Sequence, residues 1–180
     1  MSVKAESLRI RTYPDPVLRE PAATIQRVDD EVRAVAGRML ELMHEVRGVG
    51  LAAPQVGLSW RLFVINVTGE PGHDRVFVNP SLHEPARLTE PRDEGCLSIP
   101  GITVEVTRPI SVRVKATDLD GQPIDELADG VLARALQHEH DHLEGRLIID
   151  RMTPADRMAN RRALKELESR AGDSRFGTGD

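Results

Sequence analysis

The stretch Gln137-His138-Glu139-His140-Asp141-His142-Leu143-Glu144-Gly145 decides how the rest of the chain is interpreted. It contains the motif H-E-x-x-H, in which His138 and His142 are four positions apart and Glu139 follows the first. An α-helix turns about 100° per residue, so a spacing of four returns to within about 40° of the starting direction. Both imidazoles can therefore reach one metal ion, with Glu139 beside a water on that ion. This layout is typical of a metal-activated hydrolytic water with a carboxylate base.

The helix that carries the motif is predicted to begin near Asp129 and to end at Gly145. Two neighbouring stripes at helical spacing form its apolar side: Val131, Ala135, His138 and His142, and Leu132, Leu136, Glu139 and Leu143. We expect this side to be buried. Two histidines at this spacing also occur on solvated helix faces and as hydrogen-bonded core pairs, so the motif alone leaves the metal site open.

Two histidines are one ligand short, because a catalytic metal site usually has three protein ligands and a water. The extended zinc-peptidase motif H-E-x-x-H-x-x-G-x-x-H would place its last histidine at position 148, which is Ile148. Glu166 could be a distant third ligand, but it lies on a highly charged predicted helix, where glutamate usually faces solvent. His140 points about 200° away from His138. Cys96 is the strongest remaining donor, because thiolate binds these metals tightly, although a lone cysteine is often a buried hydrophobe.

Composition predicts one globular domain in the cytoplasm. The chain has 180 residues, 29% charged and 39% hydrophobic, which fits a single catalytic domain over residues 1–171 and a disordered tail over 172–180. The net charge of −5 gives no general attraction to DNA or to an anionic membrane. No apolar run is long enough for a membrane span or a signal-peptide core. The single cysteine excludes an internal disulfide and fits a reducing compartment.

The remaining elements are predicted from hydrophobic periodicity and from helix caps and stops. Residues 1–27 form a proline-rich, mostly non-helical arm, and a helix runs from Asp29 or Asp30 to Gly48. Strands are predicted at 60–67, 75–79, 103–107 and 110–117, and a last helix begins at Thr153 and ends near Arg170. Strands followed by helices indicate an α+β fold. We expect mostly antiparallel sheets packed around the central H-E-x-x-H helix, with an N-terminal and a C-terminal helix.

Two further segments complete a pattern of three motifs. They are Gly48-Val49-Gly50-Leu51-Ala52-Ala53-Pro54-Gln55 and Glu94-Gly95-Cys96-Leu97-Ser98, and both precede the H-E-x-x-H helix. In these three segments and in their order, the sequence resembles the peptide deformylases. The similarity extends from about Ile10 to the C-terminal helix. The resemblance implies that Cys96 is the third metal ligand, beside the two histidines of the helix.

The resemblance also implies an activity. Peptide deformylases remove the formyl group from the N-terminal formyl-methionine of newly made bacterial or organellar proteins and release formate. Their single divalent ion is generally Fe²⁺, and Zn²⁺, Ni²⁺ or Co²⁺ can replace it. Metal-bound hydroxide would attack the formyl carbon, while Glu139 takes the proton of the water and delivers it to the methionine nitrogen. The Gln55 side-chain amide and the Leu97 backbone N–H would stabilise the oxyanion.

Selectivity would come from the surroundings of this centre. Val49, Gly50, Val131 and Ala135 are the expected substrate-binding residues, with core packing as the less favoured interpretation of Val49, Val131 and Ala135. A site narrowed by Gly50 and Leu97 would reject acetyl groups by clash. Arg134 departs from the family, whose members often have an aliphatic residue there. We expect its stem to line the pocket and its guanidinium to reach solvent.

Two charged features have both a functional and a surface interpretation. Glu94 and Arg108 could form an ion pair that orients the Cys96 loop, or an ordinary surface pair. From Arg151 to Arg170 there are six basic and three acidic residues, a charge of +3 that leaves −8 on the remainder. This helix could dock on ribosomal RNA, as is proposed for related enzymes, or simply face water.

Three functions follow from the sequence. The first is an iron-type deformylase acting on formyl-methionyl nascent peptides, and the second is a zinc peptidase with Glu166 as third ligand. The third is a non-catalytic member that binds formylated peptides or merely keeps the fold. The intact set of Gln55, Cys96, His138, Glu139 and His142 argues against the third.

Overall fold

The computed structural model describes the backbone of residues 3–173 and the side chains of residues 3–169. The helices are α1 (Asp30–Glu45), α2 (Gly130–Leu143), α3 (Pro154–Ala159) and α4 (Arg161–Asp173). The strands are β1 (Gly50–Ala52), β2 (Leu62–Ile65), β3 (Arg75–His83), β4 (Thr89–Cys96), β5 (Ile99–Pro109), β6 (Ser111–Thr117) and β7 (Pro123–Asp129). The predicted α+β fold with antiparallel sheets and helices toward both ends is confirmed.

One sheet has five antiparallel strands in the order β1-β2-β3-β6-β7, and β4 and β5 form a separate antiparallel hairpin. Strand β2 shows how the large sheet is covered. Its four residues are all buried, because Leu62 and Val64 pack in a cluster with α1 while Phe63 and Ile65 pack in a cluster with α2. Alternate side chains of a strand point to opposite faces. Helices α1 and α2 therefore cover opposite faces of the sheet.

The motif helix α2 is central, as predicted. It contacts β1, β2, β3, β6 and β7 of the large sheet and also β5 of the hairpin. Its fully buried residues Ala133, Leu136 and Leu143 belong to the cluster that contains Phe63 and Phe77. The histidines of α2 are consequently held in the interior, where the hairpin approaches the large sheet.

The hairpin β4–β5 rests on a third apolar cluster. Ile99, Val104 and Val106 of β5 pack there with Leu18 of the N-terminal arm and Ile148, which follows α2. Partly buried residues of α4 cover the same cluster. The ordered arm and the C-terminal helix thus brace the hairpin from the two ends of the chain.

Helix boundaries follow recognisable caps. Asp29, rather than Asp30, caps α1, since its carboxylate accepts a hydrogen bond of 3.1 Å from the Val32 backbone N–H. At the end of α2, Gly145 adopts φ 69°, and a Cβ there would lie 2.8 Å from the backbone carbon of Arg19. Gly145 is therefore required both by its left-handed conformation and by close packing.

The sequence prediction missed three strands and one helix break. Strands β4 and β7 are rich in charged residues and are mostly exposed, and β1 has only three residues. The last helix is divided at Asn160 and continues to Asp173. The predicted disordered tail, 172–180, lies outside the described residues from 174 onward. None of the described helices is both long and apolar enough to cross a bilayer.

Candidate metal centre and substrate pocket

Three predicted metal ligands converge from two elements. Cys96 is the last residue of β4, and α2 supplies His138 and His142. Sγ of Cys96 lies 3.3 Å from Nε2 of His142, and one donor atom from each of the three residues lies within 4.8 Å of the others. With metal–ligand bonds of about 2.0–2.3 Å, donor atoms of a tetrahedral site lie about 3.4 Å apart. The thiol and imidazole donors therefore fit one divalent ion.

The alternative third ligands lie elsewhere. Glu166 is exposed on α4 and pairs with Arg162 at 3.0 Å. His140 turns away from the cluster, and its Nε2 lies 3.3 Å from Nη2 of Arg61. Within the described residues, no other group of three His, Cys, Asp or Glu side chains could hold a metal ion.

An internal ion pair orients His138. Oε2 of Glu94 lies 3.0 Å from Nδ1 of His138, which leaves Nε2 free for a metal. Arg108 donates to the same carboxylate through Nε at 2.6 Å and Nη2 at 2.9 Å. Glu94 is 7% exposed and Arg108 2%, so the surface-pair interpretation is wrong. Burial raises the pKa of Glu94, but hydrogen bonds from Arg108 and His138 outweigh it and hold the pKa well below its usual range.

The ion pair extends along the motif helix to Asp141. Arg108 also donates to Asp141 at 2.9 Å, and Arg151 donates to it through Nε at 2.7 Å and Nη2 at 2.5 Å. Burial raises the pKa of Asp141, but the hydrogen bond from Arg151 and the charge of Arg108 outweigh this effect. The pKa of Asp141 therefore lies below its usual value. Buried charges are tolerated when they are paired and hydrogen-bonded in this way.

Arg134 belongs to the same network of paired charges, because it also contacts Glu94. Its Nη1 donates to Glu94 at 2.7 Å and to the Val106 carbonyl at 2.9 Å, and its Nη2 donates to the Glu90 carbonyl at 2.7 Å. The expectation that the guanidinium reaches solvent is wrong, because acceptors on β4 and β5 lie within its reach. Arg134 does line the pocket, as expected.

Gln55 is held in the interior beside the predicted metal ligands. It lies in the short 3-10 turn after β1, and its Oε1 accepts a hydrogen bond of 2.8 Å from the Ala52 backbone N–H. Its Nε2 donates to Oγ of Ser98 at 3.2 Å and lies 3.6 Å from Sγ of Cys96. The amide is therefore not a solvent-exposed loop side chain.

Glu139 is buried beside the same cluster, and its Oε2 has no hydrogen-bond partner among the described residues. Burial raises the pKa of Glu139 to about 7, although the charges of His138 and Arg108 oppose the rise. A Cβ on Gly50 would lie 2.8 Å from Cδ and 2.9 Å from Cγ of Glu139. Glycine at position 50 is what allows the carboxylate to lie against β1.

The two histidines differ in their affinity for a proton. Burial lowers the pKa of His138, but hydrogen bonds to Cys96 and Glu94 raise it to about 10. Burial and the positive charge of His138 lower the pKa of His142 well below its usual value. A divalent ion competes with the proton on His138, because a metal-binding imidazole must be neutral.

A cavity of about 470 Å³ opens onto the cluster. Nine of the ten predicted site residues line it: Val49, Gly50, Gln55, Cys96, Leu97, Val131, Ala135, His138 and Glu139. Val49 and Val131 are 43% and 55% exposed, which places them at the rim rather than in the core, while Ala135 is buried. His142 is not part of the lining and lies behind His138, with their ring centroids 5.1 Å apart.

Comparison with known proteins gives a consistent result. The model of the polypeptide deformylase family matches residues 7–158. A peptide deformylase of Chromohalobacter salexigens is 44% identical over 163 residues, 91% of this chain and 94% of that one. Peptide deformylase 1B, chloroplastic/mitochondrial, of Arabidopsis thaliana is 42% identical over 165 residues, 91% of this chain and 60% of that one.

Solved structures of peptide deformylases are similar to this chain in fold. The crystal structure of a plant peptide deformylase has a TM-score of 0.89 at 41% identity and covers 93% of this chain and 92% of that one. Plasmodium falciparum peptide deformylase in complex with an inhibitor has a TM-score of 0.83 at 39% identity and covers 89% of this chain and 99% of that one.

Proposed function

The chain belongs to the polypeptide deformylase family and is a hydrolase that acts on the N-formyl group of nascent peptides. We propose that its substrate is N-terminal formyl-methionine, that formate is released, and that the reaction takes place in the cavity beside Cys96, His138 and His142. The observation that carries the proposal is the convergence of these three donor side chains with a buried carboxylate and a buried amide.

In the proposed mechanism Cys96, His138 and His142 hold one divalent ion. Such an ion supplies Lewis-acid activation of a water near neutral pH. Glu139 would accept a proton from the attacking water as the oxygen of that water bonds to the formyl carbon. Glu139 would then deliver the proton to the methionine nitrogen as the carbon–nitrogen bond breaks. The products are a free amine and formic acid, which loses its proton to water at neutral pH and leaves as formate. A buried carboxylate oxygen that has no hydrogen-bond partner among the described residues suits this double role.

The oxyanion that develops on the formyl oxygen needs donors in addition to the ion. We assign them to the Nε2 amide of Gln55 and the backbone N–H of Leu97. Leu97 begins the two-residue turn between β4 and β5, directly after Cys96. Loss of one oxyanion donor typically lowers the rate by about 10²–10³-fold.

Substrate selectivity is assigned to the cavity wall. The methionine side chain would contact Val49 and Val131 at the rim, Ala135 inside, and the stem of Arg134. Gly50 would lie beside the formyl group, where little room remains for the larger acetyl group. One extra methylene in such a pocket changes the rate by about 10–200-fold.

The ion is proposed to be Fe²⁺, with Zn²⁺, Ni²⁺ and Co²⁺ as alternatives, since one thiolate and two imidazoles suit all four. Purification without oxygen followed by metal analysis identifies it. Rapid loss of activity in air supports Fe²⁺, whereas activity that is stable in air and proportional to zinc content contradicts it.

The decisive assay is formate release from formyl-Met-Ala, with acetyl-Met-Ala as the matched poor substrate. Glu139→Gln should keep the metal bound and lower formate release by about 10²–10⁴-fold. Glu166→Gln is the control for the zinc-peptidase alternative and should leave metal content and rate unchanged. A wild-type chain that binds formyl-Met-Ala without releasing formate would support the non-catalytic alternative.

We further propose that the protein works in the cytoplasm and docks on ribosomal RNA through α4. Two of the basic residues of the C-terminal segment are engaged internally: Arg151 with Asp141, and Arg157 with the Ile149 carbonyl at 2.9 Å. Arg161 and Lys165 are exposed on α4 and would make the contact.

Charge reversal tests the docking better than truncation, because α4 also covers the core under the hairpin. Arg161→Glu combined with Lys165→Glu should reduce co-sedimentation with ribosomes at low salt and leave formate release unchanged. Undiminished co-sedimentation of the double variant would contradict the proposal.

A further inference from the structure

We propose that Ser98 is a positioning residue that fixes the Gln55 amide, so that one of its N–H bonds faces the reaction centre. This inference rests on the proposed function and adds to it a residue that touches neither the substrate nor the ion. Gln55 is 1% exposed and Ser98 0% exposed, so each depends on protein groups for its hydrogen bonds.

The direction of the amide follows from its partners. The Ala52 backbone N–H lies 2.8 Å from the side-chain oxygen of Gln55 and can only donate. Oxygen must therefore face Ala52, and the NH₂ group must face the cluster. The opposite assignment would set the Ala52 N–H against the NH₂ group, one donor facing another.

The two hydrogens of this NH₂ group have unequal partners. Nε2 lies 3.2 Å from Oγ of Ser98, a normal hydrogen bond, and 3.6 Å from Sγ of Cys96, a weak acceptor. The terminal torsion of glutamine has a broad energy profile, so the amide plane rotates readily unless something fixes it. The hydroxyl of Ser98 holds one hydrogen, and that constraint directs the other toward Cys96 and the metal cluster.

Ser98 is itself held in place. It is the second residue of the turn that joins β4 to β5, and its carbonyl accepts a hydrogen bond of 2.8 Å from the Tyr13 backbone N–H. Three consecutive residues thus have three different roles. Cys96 contributes the sulfur proposed to bind the metal, Leu97 the backbone N–H assigned to the oxyanion, and Ser98 the hydroxyl that orients the Gln55 amide. A donor that is already oriented stabilises the transition state without reorganisation.

The kinetic test is a double-mutant cycle on formyl-Met-Ala. Ser98→Ala should lower kcat by about 3–10-fold, the effect of one net hydrogen bond, with KM unchanged because the amide acts mainly in the transition state. In a Gln55→Ala background, Ser98→Ala should have no further effect, since nothing remains to be oriented. Ser81→Ala is the matched control, because that serine makes hydrogen bonds to His83 and Lys115 on β3 and β6, outside the pocket lining.

The outcomes distinguish a failure of the proposed deformylase function from a failure of the proposed role of Ser98. If the wild type releases no formate, the proposed function fails and this inference with it. If the wild type is active but Ser98→Ala lowers kcat equally with and without Gln55, Ser98 is only structural and this inference alone is overturned. Metal content should stay the same in the four proteins of the cycle, which are the wild type, the two single variants and the double variant.

A second measurement does not depend on turnover. In the zinc-loaded protein labelled with ¹⁵N, the side-chain NH₂ signals of Gln55 are identified by their loss in Gln55→Ala. Ser98→Ala should speed their hydrogen exchange at least several-fold, while Ser81→Ala should not. Unchanged exchange in Ser98→Ala would overturn the inference even if that variant were inactive for other reasons.

Discussion

Arg108 and Glu94 form a two-bond ion pair in the interior, with Nε 2.6 Å from Oε1 and Nη2 2.9 Å from Oε2. The same carboxylate holds Nδ1 of His138, so a buried charge pair is joined directly to an imidazole of the candidate metal centre. Partners of this kind set the orientation and basicity of a metal-binding histidine.

Replacing this carboxylate should weaken metal binding. Glu94→Gln keeps the shape but removes the charge that holds His138, so we expect metal affinity to fall by about 10–100-fold. Breaking a buried pair typically costs about 3–5 kcal/mol, and we expect the lower end because Asp141 still pairs with Arg108. Competition with a chelator and denaturant unfolding measure the two effects. Asp93→Asn, at an exposed position next to it, should change neither.

Gly50 should tolerate no side chain. In Gly50→Ala the Cβ would lie 2.8 Å from Cδ and 2.9 Å from Cγ of Glu139, so the carboxylate must move away from its position in the pocket. We expect formate release to fall by at least about 10²-fold, the usual effect of misplacing a catalytic group by about 1 Å.

Gly37→Ala is the matched control for that substitution. Gly37 lies within α1, and a Cβ there would meet no atom within 4 Å. This change should raise the unfolding free energy by about 0.5–1 kcal/mol and leave activity intact. Equal activities of the two alanine variants would show that the carboxylate is not confined by Gly50.

Replacing Arg134 should lower the stability of the fold and leave metal binding unchanged. Arg134→Leu removes three hydrogen bonds and leaves the Glu90 and Val106 carbonyls without this partner, so we expect a loss of about 2–3 kcal/mol in thermal unfolding. Metal content should be unchanged, because Arg108 and His138 still engage Glu94. Arg134→Lys should recover little of the loss, since an ammonium cannot bridge these acceptors as a planar guanidinium does.

Arg92→Leu provides the comparison. Arg92 is exposed on β4, and its one ion-pair partner within the described part of the chain is Glu90, at 3.0 Å. Its replacement should therefore alter stability by no more than about 0.5 kcal/mol. A similar stability loss in both leucine variants would mean that the contacts of Arg134 carry no special weight.

The central helix and its ligand pair could be predicted because local spacing determines them. His138 and His142 share one helix, and the apolar stripes beside them show which side is buried. Cys96 is the strongest donor left when the other candidates are eliminated, but only the family resemblance assigns it, since no local rule links residues 46 positions apart. The strand that carries it was missed, because Glu94 is the one buried residue of β4 and its burial depends on Arg108, a partner on another strand.

Other parts of the site could not be predicted for the same reason. In the sequence, Asp141 and Arg151 are ordinary charged residues. The structure shows that Asp141 accepts hydrogen bonds from both Arg108 and Arg151. Ser98 belongs to the motif Glu94-Gly95-Cys96-Leu97-Ser98, but only the fold shows that its hydroxyl faces Gln55. Arg134 is unusual at its position, yet the direction of its guanidinium depends on carbonyls of two strands that the sequence does not place together.

Metal removal should loosen the junction between hairpin and helix. The ion would join Cys96 on β4 to His138 and His142 on α2. Its binding would stabilise the folded state by an amount that rises with the logarithm of ion concentration over Kd, about 2.7 kcal/mol at a hundredfold excess. Chelation should lower Tm, and added Zn²⁺ or Fe²⁺ should restore it. Cys96→Ala should abolish the response to metal, whereas Glu166→Gln should keep it in full. A metal-dependent Tm that persists in Cys96→Ala would show that the thiol is not a ligand, and the assignment of the reaction centre to this cavity would fall with it.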